Sequence, residues 1–454
     1  MTQPAAAASP PPTATSGQSP ASAGATPTAP DSPQSATALL PSPPSAVATQ
    51  GADQSMISRT PRRLRQLMAA VVIGGLLFGL FGAIGLGTQA FALTAAGSNT
   101  DQLIRVQTIE TDLLTADATA TNAFLVGGLE PPAQRERYDQ AIDSVNRLIT
   151  EAARAQSADA DALAALNGVV SEYAVAIEQA RANNRQGFPV GAQYLREAST
   201  TLRADALPIL DNLVAANLQR AESEMSALHP LLFQIAGVLI LIGYVFAMIW
   251  LARRFKRTIN VGVLIGGLTL LLSLIIGGVI VSATAGSVEQ LRTGSFTIAT
   301  AAAEARIEAG DAKSSESLTL IARGSGAAFE KAWQESADDV TTQLDRIGER
   351  DLTEQWQAYV DVHQQIRKLD DGGRWDDAVA QATGTSAEDD SNKVFGTFDA
   401  TLAQYRDAAA TATGNGLAGP TVGLFIGAAL IFVGGVVAAA FGRWGVAARL
   451  REYL

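Results

Sequence analysis

Four long runs of apolar residues, each without Asp, Glu, Lys or Arg, divide the chain. They occupy 67–93, 229–252, 260–283 and 417–441. Because a helix needs about 20 apolar residues to cross the hydrocarbon core of a bilayer, we predict that each run is a transmembrane helix. The second and third runs are joined by the short basic loop 253–259, so they form a membrane hairpin.

The two segments between the runs, 94–228 and 284–416, have the pattern of helical bundles. In the first segment, apolar residues such as Leu163, Leu166 and Val170 recur in alternating steps of three and four, as in packed helices. Breaks rich in Gly, Asn and Asp divide each segment into four helical stretches, and short connections favour antiparallel neighbours. The predicted fold is an all-α membrane protein with four transmembrane helices and two four-helix bundles.

The two halves of the chain share the order and spacing of several residues. The matched groups are Tyr173, Arg181 and Gly187 with Tyr359, Arg367 and Gly373, and Asp117-Ala118 with Asp311-Ala312. Common order and spacing indicate tandem-duplicated halves, each made of a span, a bundle and a second span. The alternative, that two unrelated helical bundles align loosely, stays open.

Charge is divided unevenly along the chain. Segments 1–66, 253–259 and 442–454 carry 11 of the 33 Lys and Arg residues but only 3 of the 44 Asp and Glu residues. Short basic segments stay in the cytoplasm, so we predict a plasma-membrane protein with both termini inside and both bundles extracytoplasmic. The bundles then carry an excess of 19 negative charges, which argues against a nucleic acid partner.

The two ends of the chain lack the pattern of a folded domain. Residues 1–57 hold 11 of the 18 prolines, with much Ala, Ser and Thr and almost no charge, so a disordered cytoplasmic tail is predicted. After the last run only 442–454 follow. We therefore expect a signal that crosses the membrane to pass to a separate protein.

The sequence shows no motif for catalysis or for a cofactor. It has no Cys, and its two His residues, His229 and His363, lie in different segments and are expected at a helix end or on the surface. Phosphate-binding loops and nucleophile–base arrangements are missing. Ion transport normally requires a charged residue inside a span, and none of the four runs has one. We predict a protein that is not an enzyme and has no metal, cofactor or catalytic residues.

Two groups of residues lie at turns that meet at the membrane-distal tips of the predicted bundles. Each group joins an aromatic residue to polar neighbours, and exposed aromatic residues are enriched at binding hot spots. The groups are Asn183, Asn184 and Phe188 in the first bundle and Asp370, Asp371 and Trp375 in the second. We predict that they contact an extracytoplasmic partner; the alternative, that each ring caps its own bundle, stays open.

Two further groups are candidates for signalling roles. The hairpin loop offers four cations as a cytoplasmic output surface, or as anchors that contact lipid headgroups: Arg253, Arg254, Lys256 and Arg257. In the first helix of each bundle, polar residues stand among apolar neighbours and form either a ligand pocket or a buried layer that fixes helix register: Asp117 and Asn122, and Asp311 and Glu316.

The stretch Asp112-Leu-Leu-Thr-Ala-Asp-Ala-Thr-Ala-Thr-Asn-Ala-Phe-Leu-Val-Gly-Gly128, with the four-run architecture over 59–454, resembles the actinobacterial GlnX family. The resemblance implies a coupling role between two partners. One is an extracytoplasmic solute-binding lipoprotein of the glutamine-binding type, and the other is a cytoplasmic serine/threonine kinase, protein kinase G. It supplies no binding residues.

The predicted function is therefore a transmembrane transducer that passes an amino-acid signal to a cytoplasmic kinase. Two alternatives stay open. The bundles could bind a small molecule directly, or the chain could be a structural protein of the cell envelope.

Overall fold

A computed structural model describes residues 51–126, 130–186, 190–226, 230–255, 259–384 and 390–451. Within these ranges the chain is helical and contains no strand. Residues 57–454 form one compact unit. Most of the predicted tail 1–57 lies outside the described residues, but 51–57 are helical, because this part of the tail lacks the prolines that fill the rest.

Twelve α-helices follow one another in the described ranges. They are α1 (Gly51–Val126), α2 (Pro132–Ala155), α3 (Ala160–Arg185), α4 (Val190–Thr201), α5 (Leu207–Ser226), α6 (Pro230–Phe255), α7 (Val261–Leu291), α8 (Thr297–Ile321), α9 (Ala327–Ile347), α10 (Arg350–Asp371), α11 (Trp375–Thr383) and α12 (Ser391–Leu450). Two wider π-turns join successive helices. Leu202–Ala206 joins α4 to α5, and Arg292–Phe296 joins α7 to α8 with a kink at Gly294, whose backbone angles are not helical.

Five helical segments of the described residues are long and apolar enough to cross a membrane. Four overlap the predicted runs: Arg62–Val126, Gln234–Phe255, Val261–Ile321 and Ser391–Leu450. The fifth, Ser157–Arg185, is less apolar than the others. The chain is therefore an all-helical membrane protein.

The last helix, α12, approaches α1 and α7 closely through glycines in the spans. A Cβ atom added at Gly435 would lie 2.5 Å from Gly79 Cα and 2.6 Å from Gly75 O. A Cβ atom added at Gly262 would lie 2.5 Å from Gly445 Cα. Small residues allow the backbones of membrane helices to touch, so α12 packs directly against both α1 and α7.

Polar side chains tie the helix ends beside loop 253–259 to the other spans. The Tyr244 hydroxyl of α6 donates to the Val71 carbonyl of α1 at 2.8 Å. Asn260 caps α7 by accepting from the Val263 amide at 3.2 Å, and it donates to the Gly445 carbonyl of α12 at 2.8 Å. The hairpin is therefore fixed to both neighbouring helices.

Residues 94–226, named here the first helical domain, build a core from α1, α2, α3 and the continuous α4–α5. The residues of α3 that follow the predicted three- and four-residue steps are all buried: Leu163, Leu166, Val170, Tyr173, Ile177 and Ala180. The segment Ser157–Arg185 thus packs its apolar face against protein.

Residues 284–416, named the second helical domain, build a core from α8, α9, α10 and α12. Its centre is aromatic, with the rings of Trp356 and Phe398 5.0 Å apart. A further cluster joins Leu125 of α1 to Leu320, Ile366 and residues of α11. The two helical domains are therefore packed against each other.

Candidate functional site

Asp117 of α1 is fully buried and surrounded by hydrogen-bond donors. Its Oδ1 accepts from the hydroxyls of Tyr173 at 3.2 Å and Ser199 at 2.6 Å. Its Oδ2 accepts from the Ser314 hydroxyl at 2.6 Å and from Arg203 Nη1 at 3.0 Å. Four donors satisfy the carboxylate, so Asp117 belongs to a buried polar layer.

Arg203 joins the two helical domains. Its Nη1 lies 3.0 Å from Asp117 Oδ2, and its Nη2 forms an ion pair with Asp311 Oδ1 of the second domain at 2.6 Å. Burial alone would lower the pKa of Arg203, but Asp117 and Asp311 raise it. One guanidinium thus pairs with two aspartates from different domains. We name Asp117, Arg203, Asp311 and Ser314 the seam cluster.

The backbone at Arg203 departs from regular α-helix. Arg203 lies in the π-turn Leu202–Ala206, directly before Leu207 and Pro208. Proline has no amide hydrogen for the carbonyl of the preceding turn, and a wider turn precedes Pro208. Single π-turns are frequent at functional sites, and this one places Arg203 between the domains.

A second buried charge network surrounds His363 in the second domain. The Lys313 ammonium donates to Glu316 at 2.7 Å. His363 Nδ1 lies 3.2 Å from Glu316 and Nε2 3.2 Å from Glu330. The Trp333 ring stacks on the imidazole with centroids 3.6 Å apart. The expected position of His363 at a helix end or on the surface is wrong, since it is buried within α10.

The network keeps opposite charges next to each other. Burial raises the pKa of Glu316, but Lys313 and His363 outweigh it and lower that pKa to about 2. Burial lowers the pKa of His363, but hydrogen bonds to Glu316 and Glu330 raise it overall. The pKa of the buried imidazole therefore lies above its usual value, and both carboxylate oxygens of the predicted polar residue Glu316 have partners.

Asn122 also lies between the domains. Its amide donates to the Ala382 carbonyl of α11 at 3.0 Å. Its carbonyl oxygen accepts from Gln134 at 2.8 Å and from Asn392 at 2.9 Å. Of the four predicted polar residues, Asp117, Asn122 and Asp311 thus meet at the seam, and Glu316 lies in the second domain.

An acidic group lies on the same seam, closer to the spans. Burial raises the pKa of Glu110 to about 8, with further contributions from Asp211, Glu308 and Glu304. Burial also raises the pKa of Glu308 to about 7. Burial, and to a smaller extent the neighbouring carboxylates, therefore favour the neutral form of Glu110.

We expect Glu110→Gln to make the protein more stable than wild type at pH 8, with a much smaller difference at pH 5. The folded state holds a proton on Glu110 that the unfolded state has lost, so wild-type stability falls as pH rises from the usual glutamate pKa to about 8. The difference grows by at most about 1.4 kcal/mol per pH unit. Thermal unfolding from pH 5 to pH 9 measures it.

The exposed Glu197 provides the control for this titration. Glu197→Gln should leave the pH profile unchanged. A difference between Glu110→Gln and wild type that does not vary with pH would contradict the assignment.

The predicted tip residues have different surroundings. Trp375 donates its indole N–H to the Leu320 carbonyl at 2.9 Å, and the Arg323 guanidinium lies 3.8 Å above its ring. Both Asp370 and Asp371 form ion pairs with Arg367. The Asn183 amide donates to the Gln179 carbonyl, Asn184 lines a cavity, and Phe188 lies outside the described residues.

The geometry of Trp375 fits the capping alternative. We expect Trp375→Ala to destabilise the protein by about 2 kcal/mol, less than the loss of a fully buried Trp. Arg374→Ala, which changes the exposed neighbour, should have little effect. Thermal unfolding of both variants measures this, and equal unfolding temperatures would contradict the capping role. Docking of a partner at Trp375 stays a prediction for affinity measurements.

The predicted output loop is described only in part. Arg253 and Arg254 form the exposed last turn of α6, whereas Lys256 and Arg257 lie outside the described residues. The nearby Asn260, which ties α7 to α12, was not among the predicted residues.

These features define a helical membrane protein in which buried charges join two helical domains. Residues 92–226, less than half of the chain, match the family model described as an actinobacterial sensor domain. The match covers the whole of the first helical domain and indicates a sensing role in an actinobacterial protein. No curated protein and no solved structure matches the chain.

Proposed function

We propose that this protein is a transmembrane signal transducer whose first helical domain receives a signal outside the cell. The signal passes through the seam cluster to the second helical domain and along the helices to the cytoplasmic face. The sensor-domain match over residues 92–226 supports the input. The continuity of α1, from Arg62 in the basic segment to Val126 in the domain core, supports the connection to the membrane.

The observation that carries the proposal is the position of Arg203. It belongs to the sensor-like domain, yet it forms ion pairs with Asp117 and Asp311 in the long helices α1 and α8, which both continue into spans. A displacement of α4–α5 therefore changes the ion pairs that Arg203 forms with two membrane-connected helices. Packed helices respond to such changes by shifts of about 1 to 2 Å.

The proposed topology has four spans, with both termini and loop 253–259 in the cytoplasm. Ser157–Arg185 is not counted as a span, because Asp161, Glu172 and Glu178 lie within it and its apolar face is buried in the first domain. Burying these carboxylates in lipid would be costly.

Single cysteines can test this topology, since the chain has no cysteine of its own. We expect Ser157→Cys and Thr342→Cys, both exposed on the helical domains, to react with an impermeant maleimide in intact cells. Ala448→Cys, on the other side of the last span, should react only after permeabilisation. Labelling of Ala448→Cys in intact cells would contradict the orientation.

The internal duplication is part of the proposal. Tyr173 and Tyr359 are both fully buried. Arg181 pairs with Glu130 at 2.8 Å, and the matched residue Arg367 pairs with Glu330 at 3.3 Å. Corresponding residues with corresponding contacts support two copies of one ancestral unit.

The proposed partners are a solute-binding lipoprotein outside and a serine/threonine kinase inside. Loop 253–259 and the end of α12 are the proposed kinase contacts, because Asn260 and Gly445 join them. Cross-linking in native membranes, followed by purification and identification of partners on each face, tests this. Recovery of both classes is expected, whereas recovery of neither from correctly inserted protein would refute the coupling role.

A further inference from the structure

A cavity of about 270 Å³ lies at the tip of the first helical domain, among α1, α2, α3 and α4. Alanines form much of its wall, at Ala120, Ala123 and Ala180, and larger apolar residues such as Phe124 and Ile177 complete it. Protein interiors contain few voids larger than a water molecule. A space of this size between helices is therefore a candidate binding site.

In the second helical domain, side chains fill the space that corresponds to this cavity. Ala180 stands seven residues after Tyr173, and Ile366 stands seven residues after the matched Tyr359. Ile366 is fully buried, and the Trp375 indole closes the same cluster by bonding to a main-chain carbonyl. At this level the second domain has an isoleucine and a tryptophan, whereas the first domain has an alanine and a cavity.

Two of the three arginines around the cavity already have partners. Arg181 lies 4.1 Å above the Tyr138 ring and pairs with Glu130 at 2.8 Å. Arg135 pairs with Asp139 at 3.0 Å. These contacts hold both guanidinium groups in the wall and balance their charge.

The third arginine is available to a ligand. Arg185 lines the cavity one helical turn beyond Arg181, is exposed, and has no ion pair or hydrogen bond within the part of the chain that the structure describes. Asn184 lines the cavity beside it. A guanidinium is well suited to a carboxylate, which it can bind through two parallel hydrogen bonds.

We propose that this cavity binds a small carboxylic acid with an apolar body. The apolar body occupies the space between the alanines, and the carboxylate contacts Arg185 and Asn184. The volume lies just below the range of about 300–1,000 Å³ found for drug-sized ligands, so the ligand has the size of a short branched or aromatic acid. This inference rests on the proposed sensing role of the first helical domain and adds the ligand class.

The test uses the full chain in lipid nanodiscs and two pairs of probes that differ only at the polar end. Isovalerate is compared with 3-methylbutan-1-ol, and phenylacetate with 2-phenylethanol. We expect saturable binding of at least one acid by calorimetry, with its alcohol weaker by about tenfold or more. If neither acid binds, or if acids and alcohols bind equally, the proposal is overturned.

Two variants separate the carboxylate contact from the apolar one. Arg185→Gln should weaken binding of the acid about tenfold or more and leave the alcohol unaffected. Arg154→Gln, which removes an exposed charge at the end of α2, should leave binding of both unaffected. Equal loss of acid binding in the two variants would show a general charge effect and overturn the site.

Filling the cavity tests its location. Ala180→Ile copies the residue of the second domain and should abolish binding without lowering the unfolding temperature; Ala123→Val is a second filling variant in case the first fails to fold. Undiminished binding to a folded filling variant would overturn the proposal. The cross-linking test of the partners does not depend on this cavity, so a failure here leaves the coupling role to be judged separately.

Discussion

Arg203→Met is expected to destabilise the protein by about 3 kcal/mol and to loosen the contact between the helical domains. The substitution keeps an apolar side chain of similar length but leaves the fully buried Asp117 carboxylate without its cation. Removing one partner of a buried ion pair costs about 3–5 kcal/mol. Because three hydroxyls still donate hydrogen bonds to Asp117, we expect a destabilisation at the low end of this range. Thermal and chemical unfolding in detergent measure the change.

Arg147→Met is the matched control for this substitution. Arg147 pairs with Glu151 at 3.1 Å on the surface of α2, where both side chains are about half exposed. An exposed pair of this kind contributes about 0.3–0.5 kcal/mol. If the two variants unfolded alike, the seam cluster would have no special role in joining the domains.

Gly435→Leu is expected to disrupt the packing of α12 against α1 inside the membrane. A Cβ at this position would lie 2.5 Å from Gly79 Cα and 2.6 Å from Gly75 O, so the backbones must separate before any side chain fits. Overpacking costs about 1–3 kcal/mol where side chains can adjust, and we expect at least about 3 kcal/mol here because only backbone is in contact. Fluorescence-detected size exclusion after heating measures the folded fraction.

Gly423→Leu, in the same span, provides the control. A Cβ at Gly423 has no neighbour within 4 Å, so the substitution should be neutral or slightly stabilising, since glycine is unfavourable inside a helix. Wild-type behaviour of Gly435→Leu would contradict the described crossing of α1 and α12.

The helices and apolar runs could be predicted because their signals are local. Periodic apolar residues identified the buried face of α3, and length with lack of charge identified the apolar runs. Asp117 also stood out as a polar residue among apolar neighbours. The sequence could not decide between a ligand pocket and a buried polar layer, because one of the hydrogen-bond donors to Asp117, Ser314, belongs to the other half of the chain.

Residues that act between domains left no local signal. Arg203 reads as an ordinary surface arginine, and only the packing of the two domains places it between Asp117 and Asp311. His363 was missed for the same reason, since its carboxylate partners come from α8 and α9. Gly75 and Gly79 have a spacing that membrane helices use for close contact, but the spacing does not show that Gly435 is the partner.

The central claim is that a change at the seam cluster reaches the cytoplasmic face. Hydrogen exchange of wild type, Arg203→Met and Arg147→Met in lipid nanodiscs tests it most directly. We predict that Arg203→Met speeds exchange of main-chain amides at the seam and also at residues 253–261 and 442–451, while Arg147→Met matches wild type. Faster exchange confined to the helical domains, with unchanged exchange at residues 253–261 and 442–451, would contradict the claim.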